Sequence, residues 1–535
     1  MSENLPIENT QPDARMAGVA RAASIVAVAN IVSRVLGMLR DQVKSYYFGA
    51  SSQVSAFDLA TKVTVMFYDL LAGGMVSSAL VPVFSEYAQP ARRKELWQVA
   101  SFLLTLTVVV LAVLTLLGEM FASQIAWLIG GGQSPEALAL TTQLLRITLP
   151  AMLFLNLAGI LSGLLYSLKR FTLPAFNSSI FNLSIVLVTI IFAKRWGVYA
   201  LAVGLLLGAL AQVLLQLPAL RDSQLRPLFD WKHPALQKIA RLYLPIAVGL
   251  VVDLVSRTLS YRLATETGPN SVAWMGYATT LMQFPLGLTS TAVAVAILPT
   301  LSRQAQEIRA HGNRNEFLAT LAQGIRLVLV LIIPATVGLF VLAKPIIVLI
   351  FEHGEFTRAS TDMTTFVLHL YLLGVIWAAV DLLLVNAFYA QQDAWTPAMV
   401  GLVCVAIYLA VALLPALFRQ LQLQDLMIAN AVQLTCHTII MAWLLQRRVG
   451  GLGGHGLLGL IAKAGFASLL MALLSMWVYR LSVLIPLGGV VGELVQVALP
   501  GALGAVCYFA LLWLLRVPEV GQLVGMAQRK LGRAA

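Results

Sequence analysis

Long apolar runs recur along this chain so regularly that few folds can hold them. Fourteen are legible, at about 18–47, 55–87, 97–120, 136–168, 173–194, 197–219, 236–264, 271–304, 316–350, 361–391, 396–417, 425–446, 456–480 and 488–515. An α-helix needs about 20 apolar residues to cross roughly 30 Å of hydrocarbon. Soluble cores are built instead from amphipathic stripes. Of the 535 residues, 59% are apolar and 11% charged, and the mean hydropathy is +0.84. In lipid each backbone N–H and C=O must find its partner within its own segment, which leaves helices for runs of this length. The expected class is an all-α polytopic membrane protein with about 14 transmembrane helices. The polar opening (residues 1–15) lacks the basic-then-apolar pattern of a cleaved leader. Cys404, Cys436 and Cys507 lie in apolar runs, at spacings that fit neither a metal site nor a disulfide framework.

A net charge of +12 in a soluble chain would suggest nucleic acid. Here the cations sort by side. Loops after even-numbered spans, with the C-terminal tail, carry about nineteen Lys and Arg, and the opposite loops about six, which places both termini in the cytoplasm. Lys194 and Arg195 go against that bias.

The chain repeats itself at a separation of about 220 residues. Ala79-Leu80-Val81-Pro82 returns as Ala296-Ile297-Leu298-Pro299, Tyr166 with Pro174-Ala175 returns as Tyr389 with Pro397-Ala398, and Ser33-Arg34 returns as Ser256-Arg257. Each copy holds six spans, an even number, so both insert the same way up. Two six-helix lobes (18–219 and 236–446) related by an axis along the membrane normal are expected, with a pathway between them near the midplane. Two additional helices (456–515) lie outside the repeat. A polar cytoplasmic tail (1–17) and a basic amphipathic tail (517–535), the latter on the anionic inner leaflet, complete the expected organisation.

Against this background five ionisable residues stand out in the first two spans: Arg34, Arg40, Asp58, Lys62 and Asp69. A charge in mid-membrane costs roughly 2.5–3.5 kcal/mol on the mildest scale, so such residues face protein or a wet cavity. The spacing of Asp58, Lys62 and Asp69 places them on one helical stripe, and Arg34 shares a face with Asp41. The seam predicts a pathway for something polar. The second half adds Asp253, Arg257 and Arg262 in span seven and Asp381 in span ten, with Arg146 and Arg326 deep in spans four and nine. For Asp253–Arg257 and Arg326, ion pairing that fixes helix register is as good a reading as function. Arginine suits a phosphate-bearing substrate, because its planar fork grips two oxygens at once. Asp253 and Asp381 are candidates for a coupling cation or proton. His369 and His437 read as hydrogen-bonded core residues. Gly37, Gly73-Gly74 and the prolines Pro82, Pro150, Pro245, Pro299 and Pro334 read as points of close packing or bending. No phosphate-binding loop, HExxH, GxSxG or Cys/His metal spacing occurs, which argues against an enzyme. Without an ATP site, transport would draw on ion, voltage or substrate gradients.

Several motifs in register resemble the MurJ/MviN lipid II flippases. They are Ser33-Arg34-Val35-Leu36-Gly37-x-x-Arg40-Asp41, Phe48-Gly49-Ala50, Ala79-Leu80-Val81-Pro82-Val83-Phe84-Ser85-Glu86-Tyr87 and Arg170-Phe171-Thr172-Leu173-Pro174-Ala175-Phe176 with Asn182. Phe388-Tyr389-Ala390-x-Gln392-Asp393-x-x-Thr396-Pro397 and the stretch from Ser271-Val272-x-Trp274 to Phe284-Pro285 belong with them. The likeness runs from about residue 30 to about residue 450, within the wider multidrug, oligosaccharidyl-lipid and polysaccharide exporter superfamily. It implies a bacterial cytoplasmic-membrane protein that moves undecaprenyl-pyrophosphate disaccharide-peptide outward by alternating access. It also implies a cationic cavity and a lipid-tail groove in the two extra helices. By the same resemblance Arg34, Arg40 and Lys62 are substrate contacts, and no cofactor, metal or nucleic acid is called for.

The chain departs from the family pattern at four positions. Tyr68 stands where relatives carry an arginine, Thr279-Thr280 where they carry an Asp-Arg pair, and Ser55 where they carry an acid. Lys62, Arg257 and Arg262 are the cations placed to compensate. Other readings are an exporter of another lipid-linked oligosaccharide, a drug antiporter, or a non-transporting scaffold of envelope synthesis. The drug antiporter is disfavoured by span number and by the seam's cations.

Overall fold

A computed structural model of the chain describes residues 12–73, 75–229, 234–312 and 314–521. Most of the expected polar tail 1–17 and of the basic tail 517–535 therefore lies outside the described residues, as do Lys232 and Gly74. All regular structure among the described residues is helical. In chain order the helices are α1 (Pro12–Phe48), α2 (Ser52–Tyr68), α3 (Val81–Tyr87), α4 (Arg93–Met120), α5 (Ala122–Gly130), α6 (Pro135–Thr148), α7 (Ala151–Ser167), α8 (Thr172–Ala175), α9 (Asn177–Trp196) and α10 (Tyr199–Gln216). There follow α11 (Pro234–Glu266), α12 (Ser271–His311), α13 (Asn315–Val341), α14 (Ala343–Phe351), α15 (Arg358–Ala390), α16 (Trp395–Leu413), α17 (Leu423–Val449), α18 (Leu457–Val483) and α19 (Gly489–Leu514).

Eleven helices among the described residues are long and apolar enough to cross a membrane, and a twelfth is gained if α11, bent by 49° at Pro245, is one span. The fourteen runs of the sequence thus meet eleven or twelve qualifying helices. α1 and α2, read above as spans one and two, are not among these. The run 55–87 is not one helix: α2 stops at Tyr68, two π-helical turns follow (Asp69–Gly73 and Val76–Leu80), and α3 begins at Val81. Pro82 sits in the first turn of α3, where its missing N–H leaves no bond unmade. Pro150 likewise marks the break between α6 and α7, whereas α12 and α13 run through Pro299 and Pro334. Helix ends are closed by side chains where the chain turns sharply. Thr357 accepts from the Ser360 N–H at the start of α15, and Gln422 with Asp425 forms a capping box on α17.

The chain divides into two compact units. The first comprises residues up to Lys44, Leu59–Trp127 and Ala139–Ala247. Its core is the Ala79-Leu80-x-x-Val83-Phe84 motif, fully buried against Leu96 and Ala100 of α4 and Leu164 and Leu165 of α7. Arg170 ties the α7–α8 turn to the segment after α10 through two bonds to Asp222 (2.6 and 2.7 Å). The hydrogen bond from Arg170 holds the Asp222 carboxyl below its usual range.

The second unit comprises Ser45–Asp58, Leu128–Leu138 and residues from Val248 onward. Its helices pack as α12 on α13 and α15, α17 on α15 and α16, and α18 with α19 against α13. The two additional helices are thus fastened to α13, where the Tyr508 hydroxyl donates to the Val330 carbonyl at 2.8 Å. The Phe48-Gly49-Ala50 motif has a plain reason. Gly49 (φ +61°) and Gly354 (φ +62°) place two chain segments backbone to backbone, with the Glu355 N–H donating to the Tyr46 carbonyl at 3.0 Å. A Cβ on Gly49 would overlap the Glu355 carbonyl oxygen, and one on Gly354 would overlap that of Tyr46.

Candidate functional site

In the first unit the α1 motif builds a clamped cation. Asp41 is buried (3% exposed) and takes hydrogen bonds on Oδ1 from Arg40 Nε (3.1 Å) and Nη2 (3.0 Å). Arg40 Nη1 donates to Asn182 Oδ1 on α9 at 3.1 Å, and Asn182 Nδ2 donates back to the Ser33 carbonyl at 3.4 Å. Gly37, one turn before Arg40, faces the same amide: a Cβ there would meet Asn182 Nδ2 at 3.6 Å. Three of the five guanidinium N–H donors are used, leaving two, and the Arg40 side chain stays 32% exposed. Lys44, itself buried, lies 3.9 Å from Asp41. Arg34 is half-buried two turns earlier and makes no ion pair or side-chain hydrogen bond among the described residues. Arg40 is therefore fixed in place, while Arg34 keeps its full set of donors for something else.

Lys62 lies half-buried on α2, and Asp69 opens the first π-helical turn, also half-buried. Both are engaged with neighbouring groups. Asp69 thus falls where the α-helical register ends, a local geometry that recurs at functional sites.

The second unit holds the other candidates. Asp58 is 8% exposed, and its Oδ2 lies over Gly276 of α12, only 2.8 Å from where a Cβ would sit. Ser55, one turn earlier, accepts the Ala273 N–H at 3.2 Å and so caps the first turn of α12. A small hydroxyl there satisfies an orphan donor at the start of the helix. Asp253 and Arg257 pair with each other at 2.8 Å, each half exposed, and Arg262 pairs with Glu266 at 2.7 Å. Arg326 pairs with Glu519, beyond α19. His369 bonds the Phe340 carbonyl at 2.9 Å and is half-buried, hydrogen-bonded as expected but not a core residue. His437 is not alone: its Nδ1 lies 2.8 Å from Asp381 Oδ1. No group of three or more His, Cys, Asp or Glu among the described residues could hold a metal.

Sequence reasoning missed Asn182 and His437 as partners. Asn182 is 142 residues from Arg40, and His437 is 56 from Asp381 on another helix, so no local spacing signals either. Asp41 was visible as the neighbour of Arg40, but its burial was not.

Chemically, the first unit offers one positioned guanidinium, one uncommitted guanidinium and a lysine, a donor set suited to a diphosphate. Residues 44–499 match the family model described as "Lipid II flippase MurJ". A relative from Vibrio cholerae named "Probable lipid II flippase MurJ" is 32% identical over 397 residues, covering 72% of this chain and 75% of its own. Among solved structures, a lipid II flippase MurJ in an inward closed conformation superposes with a TM-score of 0.74 at 22% identity. That match covers 91% of this chain and 98% of the other. An inward-facing multidrug transporter of the MATE family gives a TM-score of 0.68 at 14% identity, covering 79% and 98%. These two likenesses bear on the fold alone.

Proposed function

The chain belongs to the lipid II flippase MurJ family, and from that premise we propose that it carries lipid II across the bacterial cytoplasmic membrane by alternating access, with both termini in the cytoplasm. Arg34, Arg40 and Lys62 engage the pyrophosphate, and Arg257 is a further substrate contact. Asp58 and Asp69 position the cations and receive them when substrate leaves. Asp253 and Asp381 are the acids available for a coupling ion. The lobes 18–219 and 236–446 are the moving parts, and 456–515 is an added module for the lipid tail.

The observation that carries this reading is the Arg40 clamp. A guanidinium held by Asp41 and Asn182, with two donors left and a third of the side chain exposed, is built to meet an anion without losing its place. An exporter of another lipid-linked oligosaccharide is favoured by one specific feature. The resemblance implies charges where this chain has Tyr68, Thr279 and Thr280, and their loss would suit a substrate with a different head group.

The test is rescue. Bacteria depleted of their own lipid II flippase should regain labelled lipid II in the outer leaflet when they express this chain, and should lose it again with Arg34→Ala at an equal amount of folded protein. Undiminished flux in Arg34→Ala would sink the assignment of the seam. Failure of the parent chain to rescue would move the substrate to another polyprenyl-linked glycan.

A further inference from the structure

We propose that Asp381 and His437 form a one-proton site inside the membrane-spanning part of the second unit, exchanged with water during the transport cycle. The site rests on the two side chains and their surroundings. Only its role as the coupling site rests on the flippase reading.

Asp381 lies nine residues before the end of α15, and His437 twelve before the end of α17. At about 1.5 Å per residue they lie roughly 14 and 18 Å along their helices from those ends, well inside two helices long and apolar enough to cross a membrane. The two helices pack side by side. Next to the pair the Thr438 hydroxyl donates to the Trp377 carbonyl at 3.0 Å, which fixes the register of α17 on α15. Gly374 keeps the helices close, because a Cβ there would stand 3.2 Å from the Ala431 Cα. The imidazole and carboxylate are thus held in contact by the backbone framework. Neither is sealed in, with side chains 15% and 17% exposed, and His437 Nε2 has no hydrogen-bond partner among the described residues.

Charge arithmetic then sets the occupancy. A carboxylate beside a neutral imidazole carries net −1, which is costly at this depth. One added proton makes the pair neutral overall, whichever ring or oxygen atom holds it, and a second would make it +1. A proton can enter or leave such a pair only through water that reaches it. The step balances simply: a hydrated proton binds from water on one side and is released to water on the other.

Among the described residues, the charged side chains paired on the neighbouring helices are engaged elsewhere. The Cys404 thiol of α16 and the Tyr389 hydroxyl of α15 lie within electrostatic reach of Asp381, and Cys436 of α17 within that of Cys404. Asp253 and Arg257 of α11 hold each other, Arg326 of α13 holds Glu519, Lys344 of α14 holds Asp362, and Arg448 of α17 holds Asp393. On α12, Arg303, Glu307, Arg309 and His311 lie in the last turns, and Arg309 is bonded to Gln391 and Gln392. His437 is the partner of Asp381.

The experiment uses the full chain in two settings. In substrate-free nanodiscs, infrared difference spectra between pH 5 and pH 9 should show carboxyl and imidazole bands of the pair, the carboxyl band lost in Asp381→Asn, the imidazole band lost in His437→Gln, and the remaining band shifted in each variant. In proteoliposomes, the ratio of lipid II flipping with an imposed pH gradient to flipping without one should depart from unity for the parent chain. In both variants the ratio should fall to unity. Silence of both the carboxyl and the imidazole bands across the pH range, or a gradient response unchanged in both variants, overturns the proposal. So does a sodium-gradient response that disappears in Asp381→Asn while the imidazole stays silent, since the ligand is then a metal cation. If the parent chain flips no lipid II at all, the substrate reading fails, and the spectra alone decide the proton site.

Discussion

At the scale of single residues, the sequence shows a cation well and its anchors poorly. Arg40 announces itself as an arginine in an apolar run, but what makes it a tool is Asp41 beside it and Asn182 on another helix. A lysine would keep the charge and lose the fork, since one ammonium cannot hold Asp41 and Asn182 while still presenting paired donors. Hydrogen bonds to charged groups contribute about 1.5–3 kcal/mol, so Arg40→Lys should lower lipid II flux by roughly tenfold to a hundredfold at equal protein level. Measured flux near the parent value would mean that charge alone matters there. The opposite case is Asp253–Arg257. Its i, i+4 spacing made pairing legible, and the structure finds the two at 2.8 Å. Spacing along one helix is readable; partnership across helices is fixed by packing that no short window contains.

At the scale of elements, apolar runs located the membrane helices but not the breaks inside them. Span two remains apolar through 69–80, yet the backbone there turns to π geometry and restarts at Val81. Hydropathy averaged over the run is blind to that change, because Asp69, Ser77 and Ser78 are outweighed by their apolar neighbours. The short 45–58 segment shows the reverse: its glycine and serine were visible while their purpose was not. Gly49 and Gly354 permit a backbone contact, and Ser55 closes the start of α12. Gly354→Ala should therefore destabilise the purified protein by at least about 1–3 kcal/mol, from the positive φ alone, with the overlap on Tyr46 adding to it. Ser55→Ala should cost only about 1 kcal/mol, the usual worth of a cap. Thermal unfolding of both variants in the same detergent tests the order. Equal shifts would show that the backbone approach is looser than the geometry says.

At the scale of the whole molecule, the two helices beyond the repeat pose the sharpest question, since nothing in their apolar sequence says where they attach. The structure fastens them to α13 at two points, Tyr508 on the Val330 carbonyl and Glu519 on Arg326. The second is the more specific. The Glu519 side chain is 6% exposed and that of Arg326 19%, and Arg326 also donates to the His455 carbonyl at 2.9 Å, just before α18 begins. One guanidinium thus gathers the start of α18 and the residues after α19 onto α13. Removing one partner of a buried pair costs about 3–5 kcal/mol, because the other is left charged and unmatched. Glu519→Ala should fall at the low end of that range, as Arg326 keeps the His455 carbonyl and some solvent. Replacing both residues by leucine should recover most of the loss, because the desolvation penalty goes with the charges. Equal destabilisation of the single and double variants in denaturant unfolding would show that shape, not charge, holds the module. Recovery would explain why an arginine sits deep in an apolar span: Arg326 serves attachment of the added module.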